Sequence, residues 1–175
     1  MGMSGYYNYE GKYPKTNEDN LVFVETMQVI KKLLDENHKE FDIQYICDAQ
    51  GVSIRAKCTC FMIPPDPEDA DVDIDGWKTS CDITKETFEP IIQAVMCILA
   101  HNIKTFSVHN YFIYDDCDYW AKGLALAQKY IPDVRIPIES SDEKGHTCSD
   151  NSSGRFIHFP FKQRLTSGWV DCFGK

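Results

Sequence analysis

An α+β (or α/β) fold is what the sequence predicts: a single domain on a mixed, mostly antiparallel sheet flanked by three helices, one of them added N-terminally. Three observations lead there. The 175 residues are 43% apolar and 13% aromatic, enough for one domain to bury roughly two-thirds of its surface. Three stretches read as helices, while several shorter stretches are β-branched or aromatic. Their order, an antiparallel meander and then a strand–helix–strand crossover, gives a mixed sheet flanked by helices.

Residues 1–16 read as a mobile N-terminal arm, rich in glycine, proline and tyrosine without sustained periodicity, and residues 17–175 as the globular domain. A helix starts near Thr16 or Asn17 and ends near His38. It carries Phe23, Met27, Ile30 and Leu34 on one face and turns Lys31, Lys32, Asp35 and Glu36 away. Residues 43–47 and 52–63 then read as two strands joined by the turn-forming DAQG, and Pro64, Pro65 and Pro67 end the second.

Pro90 lacks an N–H and suits only a first helical turn, so Thr84 or Thr87 is the expected cap of the next helix. The run IIQAVMCILA makes that helix central and covered on nearly all sides. TFSVHNYFIY (105–114) reads as a strand, and Asp116 or Asp118 can cap the helix YWAKGLALAQKYI, which Pro132 stops. Residues 134–138 and 155–161 read as the last two strands.

Charge narrows the function. The net charge is −9, and residues 1–150 hold 14 Lys/Arg against 26 Asp/Glu. Such a surface repels a phosphate backbone and attracts a basic partner. No apolar run reaches the roughly 18–20 residues a bilayer span needs, and the polar start lacks a signal-peptide core. A cytoplasmic location with reduced cysteines is expected.

DVDIDGWKTSCD (71–82) has two readings. Asp71, Asp73, Asp75 and Gly76 fit positions 1, 3, 5 and 6 of a calcium loop, with Asp82 at position 12. The same residues form an alternating hairpin turning at Asp75-Gly76, and the hairpin is expected because no helix enters the loop and Asp replaces the bidentate Glu. Cys58, Cys60, Cys81, His146 and Cys148 could hold zinc but lack the paired C-x-x-C spacing. Cys117, at a helix start, is opposed as a nucleophile by Asp115, Asp116 and Asp118, and nothing in the sequence places His101 or His109 beside a thiol. Phosphate-cradling glycine motifs are absent.

Over about residues 42–140 the element order resembles the ribonuclease H-like fold. That resemblance implies a magnesium-dependent nuclease or an inactive relative, with Asp48 in YICDAQG and Glu89 as acidic ligands and Asn110 at the third position. The order also looks like the acetyltransferases of the GNAT superfamily. Where those seat a pyrophosphate, this chain has DITKETFEP, without glycine and with two glutamates, which disfavours an acetyl-CoA enzyme.

The preferred expectation is therefore a cytoplasmic binding or inhibitory protein rather than an enzyme, without cofactor, engaging a basic protein such as a nucleic-acid-handling enzyme. Asp66, Glu68, Asp69, Asp71, Asp73 and Asp75, with Trp77 as aromatic anchor and Asp115, Asp116 and Asp118 as further acids, are the expected contact residues. The alternatives are the nuclease on Asp48, Glu89 and Asn110 with Mg, a Ca site on Asp71, Asp73, Asp75 and Asp82, and a thiol-rich metal-binding module.

Overall fold

The computed structural model describes residues 6–57, 59–83, 86–110 and 120–137. Within them the chain is α+β, in the order β1 (Tyr6–Lys12), α1 (Asn17–Asn37), β2 (Gln44–Asp48), β3 (Gly51–Ala56), β4 (Thr59–Ile63), β5 (Asp71–Val72), β6 (Gly76–Asp82), α2 (Glu89–Asn102), β7 (Ser107–Asn110) and α3 (Ala121–Gln128). One sheet runs β5-β6-β1-β7 and the other β2-β3-β4, and the paired strands are antiparallel.

The first strand corrects the expected mobile arm. Residues 6–12 lie between β6 and β7 as an inner strand of the four-stranded sheet. Tyr7 and Tyr9 point inward, 0% and 2% exposed, while Asn8, Glu10 and Lys12 alternate outward. Tyr9 packs its ring 5.1 Å from Phe61 and 5.9 Å from Trp77. Because β6 and β7 each run antiparallel to β1, they are parallel to one another. A crossover through α2 is therefore present, with β1 inserted between its two strands.

The segment 52–63 is also two strands rather than one. The chain reverses at Lys57, whose φ of 50° is left-handed, so that Ala56 pairs with Thr59. The preceding DAQG turn forms as expected: Asp48 pairs with Gly51, and the Asp48 carboxylate accepts the Gln50 N–H at 2.8 Å. Gly51 is required there, since its φ is 147° and a Cβ would fall 2.1 Å from the Ile63 carbonyl oxygen.

Helix α1 begins at Thr16, whose hydroxyl accepts the Asp19 N–H at 3.1 Å. Its buried face holds Phe23, Met27, Ile30 and Leu34, together with Leu33. Helix α2 is central: residues 91–100 are buried throughout. Pro90 lies in its first turn, but Phe88 occupies the cap position without a side-chain bond, in place of the expected Thr84 or Thr87. Trp120 likewise precedes α3 where Asp116 or Asp118 was expected, and both of those lie outside the described residues.

Gly123 lets α3 approach α2 closely, since a Cβ would fall 2.4 Å from Gln93 Cβ. Beyond α3, residues 134–137 join no ladder with a described strand, although Val134 and Ile136 are buried. The strand expected at 155–161 lies outside the described residues. Among the described residues no helix is long and apolar enough to cross a membrane.

Candidate functional site

The acidic segment is built on the β4–β6 connection. After β4, the Asp66 carboxylate accepts the Glu68 N–H at 3.0 Å and the Asp66 carbonyl accepts the Asp69 N–H at 2.9 Å. The Thr79 hydroxyl donates to the Asp69 carbonyl at 2.9 Å and ties this turn to β6. The chain then forms the expected hairpin, with Asp71 opposite Lys78 and Val72 opposite Trp77.

Its turn differs in register from the expected Asp75-Gly76 corner: Ile74 and Asp75 occupy the tip, and the Asp73 N–H donates to the Gly76 carbonyl at 3.0 Å. One Asp73 carboxylate oxygen accepts the N–H groups of Asp75 and Gly76, both at 2.7 Å. These two bonds hold the Asp73 carboxyl below its ordinary pKa, with nearby Lys12 contributing less. Gly76 has a packing role, because a Cβ there would meet the Gly11 carbonyl oxygen at 2.1 Å.

Two further contacts brace the tip. The Tyr13 N–H donates to the Asp75 carbonyl at 2.8 Å, and Lys15 Nζ stands 3.2 Å from the Asp75 carboxylate. Glu68, Asp69, Asp71, Asp73 and Asp75 are exposed and Asp66 is half-buried. Lys12, Lys15 and Lys78 stand at the margin, with Lys78 4.0 Å from Glu10. A surface groove of about 430 Å³ runs between β1 and the hairpin, bordered by Glu10, Lys12, Asp71, Asp73 and Lys78.

Trp77 is not an exposed anchor. It is 3% exposed, on the inner face of β6 against Tyr9 and Phe106. The exposed apolar side chains of the hairpin are instead Ile74, at 95%, and Val72, at 43%. The residue at the centre of the turn missed as an anchor, Ile74, had a sequence signal: an isoleucine between two aspartates in a turn has nowhere to be buried. Asp115, Asp116 and Asp118 lie outside the described residues.

The structure does not bring together the four ligands of the alternative calcium reading. Asp82 ends β6, six residues beyond Gly76, which puts it roughly 20 Å along the strand from the turn. Asp48 stands on a different sheet from Asn110, which pairs across from Tyr7, the residue that Glu89 binds. Asp48 is exposed at the β2–β3 turn of one sheet, whereas Asn110 ends β7 in the other. Glu89 is buried at the start of α2, where its carboxylate accepts the Tyr7 hydroxyl at 2.7 Å and Gln93 Nε2 donates to the Tyr7 oxygen at 3.0 Å.

That network fastens β1 to α2. Among the described residues no three His, Cys, Asp or Glu side chains stand together as a metal site, and Cys58, His146 and Cys148 are not described. Burial pushes the Cys47 thiol up to about 12 and raises Cys81 and Cys97 strongly, the opposite of an activated nucleophile. Cys117 lies outside the described residues. His101 is exposed near the end of α2, and His109 Nε2 lies 3.6 Å from Glu10. No protein-family profile, curated protein or solved structure matches the chain.

Proposed function

We propose that this protein is an acidic binding or inhibitory protein that engages a basic protein partner through the segment Asp66–Asp75. The observation that carries the reading is the display of exposed carboxylates on a hairpin braced from both sides, by Thr79 on β6 and by Tyr13 and Lys15 beyond β1. A braced loop presents its charge without first being ordered, which lowers the entropic cost of association. Six acids face three marginal lysines, so the strip keeps a negative excess.

A row of carboxylates can occupy the places of phosphates, so a nucleic-acid-handling enzyme is the partner class that suits the strip. Ile74 supplies the apolar contact first expected of Trp77. We place this activity in the cytoplasm, where free thiols such as Cys47, Cys81 and Cys97 persist.

The test is a paired capture from host lysate on immobilised wild-type protein and on a folded variant carrying Glu68→Lys, Asp69→Lys and Asp71→Lys. A basic protein held by the first, lost on the second and released by salt supports the reading. Equal retention on both resins refutes it at this site.

A further inference from the structure

We propose that Glu10, Ser107 and His109 form a site for a divalent transition metal, zinc in the first place, that clasps β1 to β7. The three residues share the outer face of the four-stranded sheet. Glu10 lies directly opposite Ser107, and His109 stands opposite Asn8, which makes it the diagonal neighbour of Glu10. Tyr9 and Val108, which pair between these two rows, are buried on the inner face. Strand alternation therefore turns Glu10, Ser107 and His109 outward together.

Their donor atoms converge. Ser107 Oγ is 3.2 Å from Glu10 Oε1 and 3.5 Å from His109 Nε2, and Nε2 is 3.6 Å from Glu10 Oε1. The circle through three atoms at these separations has a radius of about 2.0 Å, close to the roughly 2.0–2.2 Å at which zinc binds imidazole nitrogen and carboxylate oxygen. An ion just above this triangle reaches all three donors with little movement. The Glu10 and His109 side chains are half-buried, so the fourth tetrahedral position is open to water.

The surroundings suit such an ion. The Ser107 hydroxyl is held in place by burial, at 2% exposed, and now donates to Glu10 Oε1. Once an ion takes that oxygen, the hydroxyl proton turns away and a lone pair becomes available, which makes Ser107 the weak third ligand beside two strong ones. Lys78 Nζ lies 4.0 Å from Glu10 Oε2, the oxygen outside the triangle, and so orients the carboxylate from its far side. Asp71, opposite Lys78 on β5, offsets the ammonium charge.

The same groups do not make a nucleophilic relay. That arrangement needs hydroxyl and carboxylate on opposite imidazole nitrogens, whereas both face Nε2 here. The site is also independent of the acidic strip and stands whether or not that strip binds a basic partner.

The test adds zinc chloride at neutral pH to the full chain, labelled with 15N in its five histidines, and follows the ring nitrogens by long-range 1H–15N correlation. The His109 signals are those missing from His109→Gln. Zinc taken up by cysteines elsewhere raises the total required but not the order in which the rings respond. The expected result is a shift of His109 Nε2, with Nδ1 keeping its proton, at zinc concentrations at least about tenfold below those that move exposed His101. Glu10→Gln should raise the zinc needed at His109 by at least about tenfold, and Ser107→Ala by several-fold, in proteins that keep their near-ultraviolet circular dichroism. His109 signals that stay fixed in excess zinc, that move together with those of His101, or that report the ion on Nδ1 would overturn the proposal, as would equal responses in wild type and Ser107→Ala.

Discussion

Removing residues 1–12 distinguishes a central strand from a dispensable arm. The truncation deletes Tyr7 and Tyr9, 0% and 2% exposed, and truncating one buried aromatic side chain costs roughly 3–5 kcal/mol. The pair alone comes to about 6–10 kcal/mol on that scale. The deletion also strips β6 of seven register partners and β7 of four, opening both strands to water in the middle of the sheet. Domains of this kind are stable by roughly 5–15 kcal/mol, so the truncated chain is expected to lose its cooperative urea transition and near-ultraviolet circular dichroism. Tyr9→Ala is the milder perturbation. It keeps the backbone ladder and should lower stability by about 3–5 kcal/mol, read as a lower urea midpoint with unchanged slope. A truncated chain that unfolds at the wild-type midpoint would refute the placement of β1.

Tyr7→Phe removes the hydroxyl that donates to the buried Glu89 carboxylate and should cost about 1.5–3 kcal/mol in urea denaturation. An unchanged midpoint would show that this bond does not fasten β1 to α2. Gly76→Ala drives a Cβ toward the Gly11 carbonyl oxygen, backbone against backbone, and should destabilise by at least about 1–3 kcal/mol as β1 and β6 part. Asp73 has a depressed pKa in the folded chain, so its contribution is present above the unfolded value near 3.9 and is lost as pH falls through the lower folded value. Asp73→Asn keeps an acceptor without that titration, so its stability should fall less than that of wild type on acidification below about pH 4; parallel profiles would contradict the cap.

The helices were legible because their signals are local and repeated. Thr16 and the Phe23–Met27–Ile30–Leu34 spacing mark α1, and the apolar run after Pro90 marks α2 as central. The DAQG hairpin and the aspartate-rich hairpin carried turn chemistry of their own. What escaped the sequence depends on distant contacts. YYNYEGK is a strand only because β6 and β7 leave a gap that its two inward tyrosines fill. Lys57 turns in a left-handed conformation that its residue type does not advertise, and Trp77 is buried because Tyr9 and Phe106 lie beneath it. The acidic strip itself was readable as charge. Its bracing by Thr79, Tyr13 and Lys15, and the exposure of Ile74, required the fold.

The most direct measurement of the proposed function follows binding kinetics between this protein and the basic protein recovered in the paired capture, across a salt series. Charges at an interface rim govern encounter, whereas an apolar anchor governs dissociation. The combined Glu68→Lys, Asp69→Lys and Asp71→Lys variant, which leaves the Asp66 and Asp73 turn bonds intact, should associate at least about tenfold more slowly at low salt, with a flattened salt dependence. Ile74→Ser should mainly speed dissociation. Association and dissociation constants that stay at wild-type values in the folded triple variant would contradict the account and leave the strip as a solvated loop.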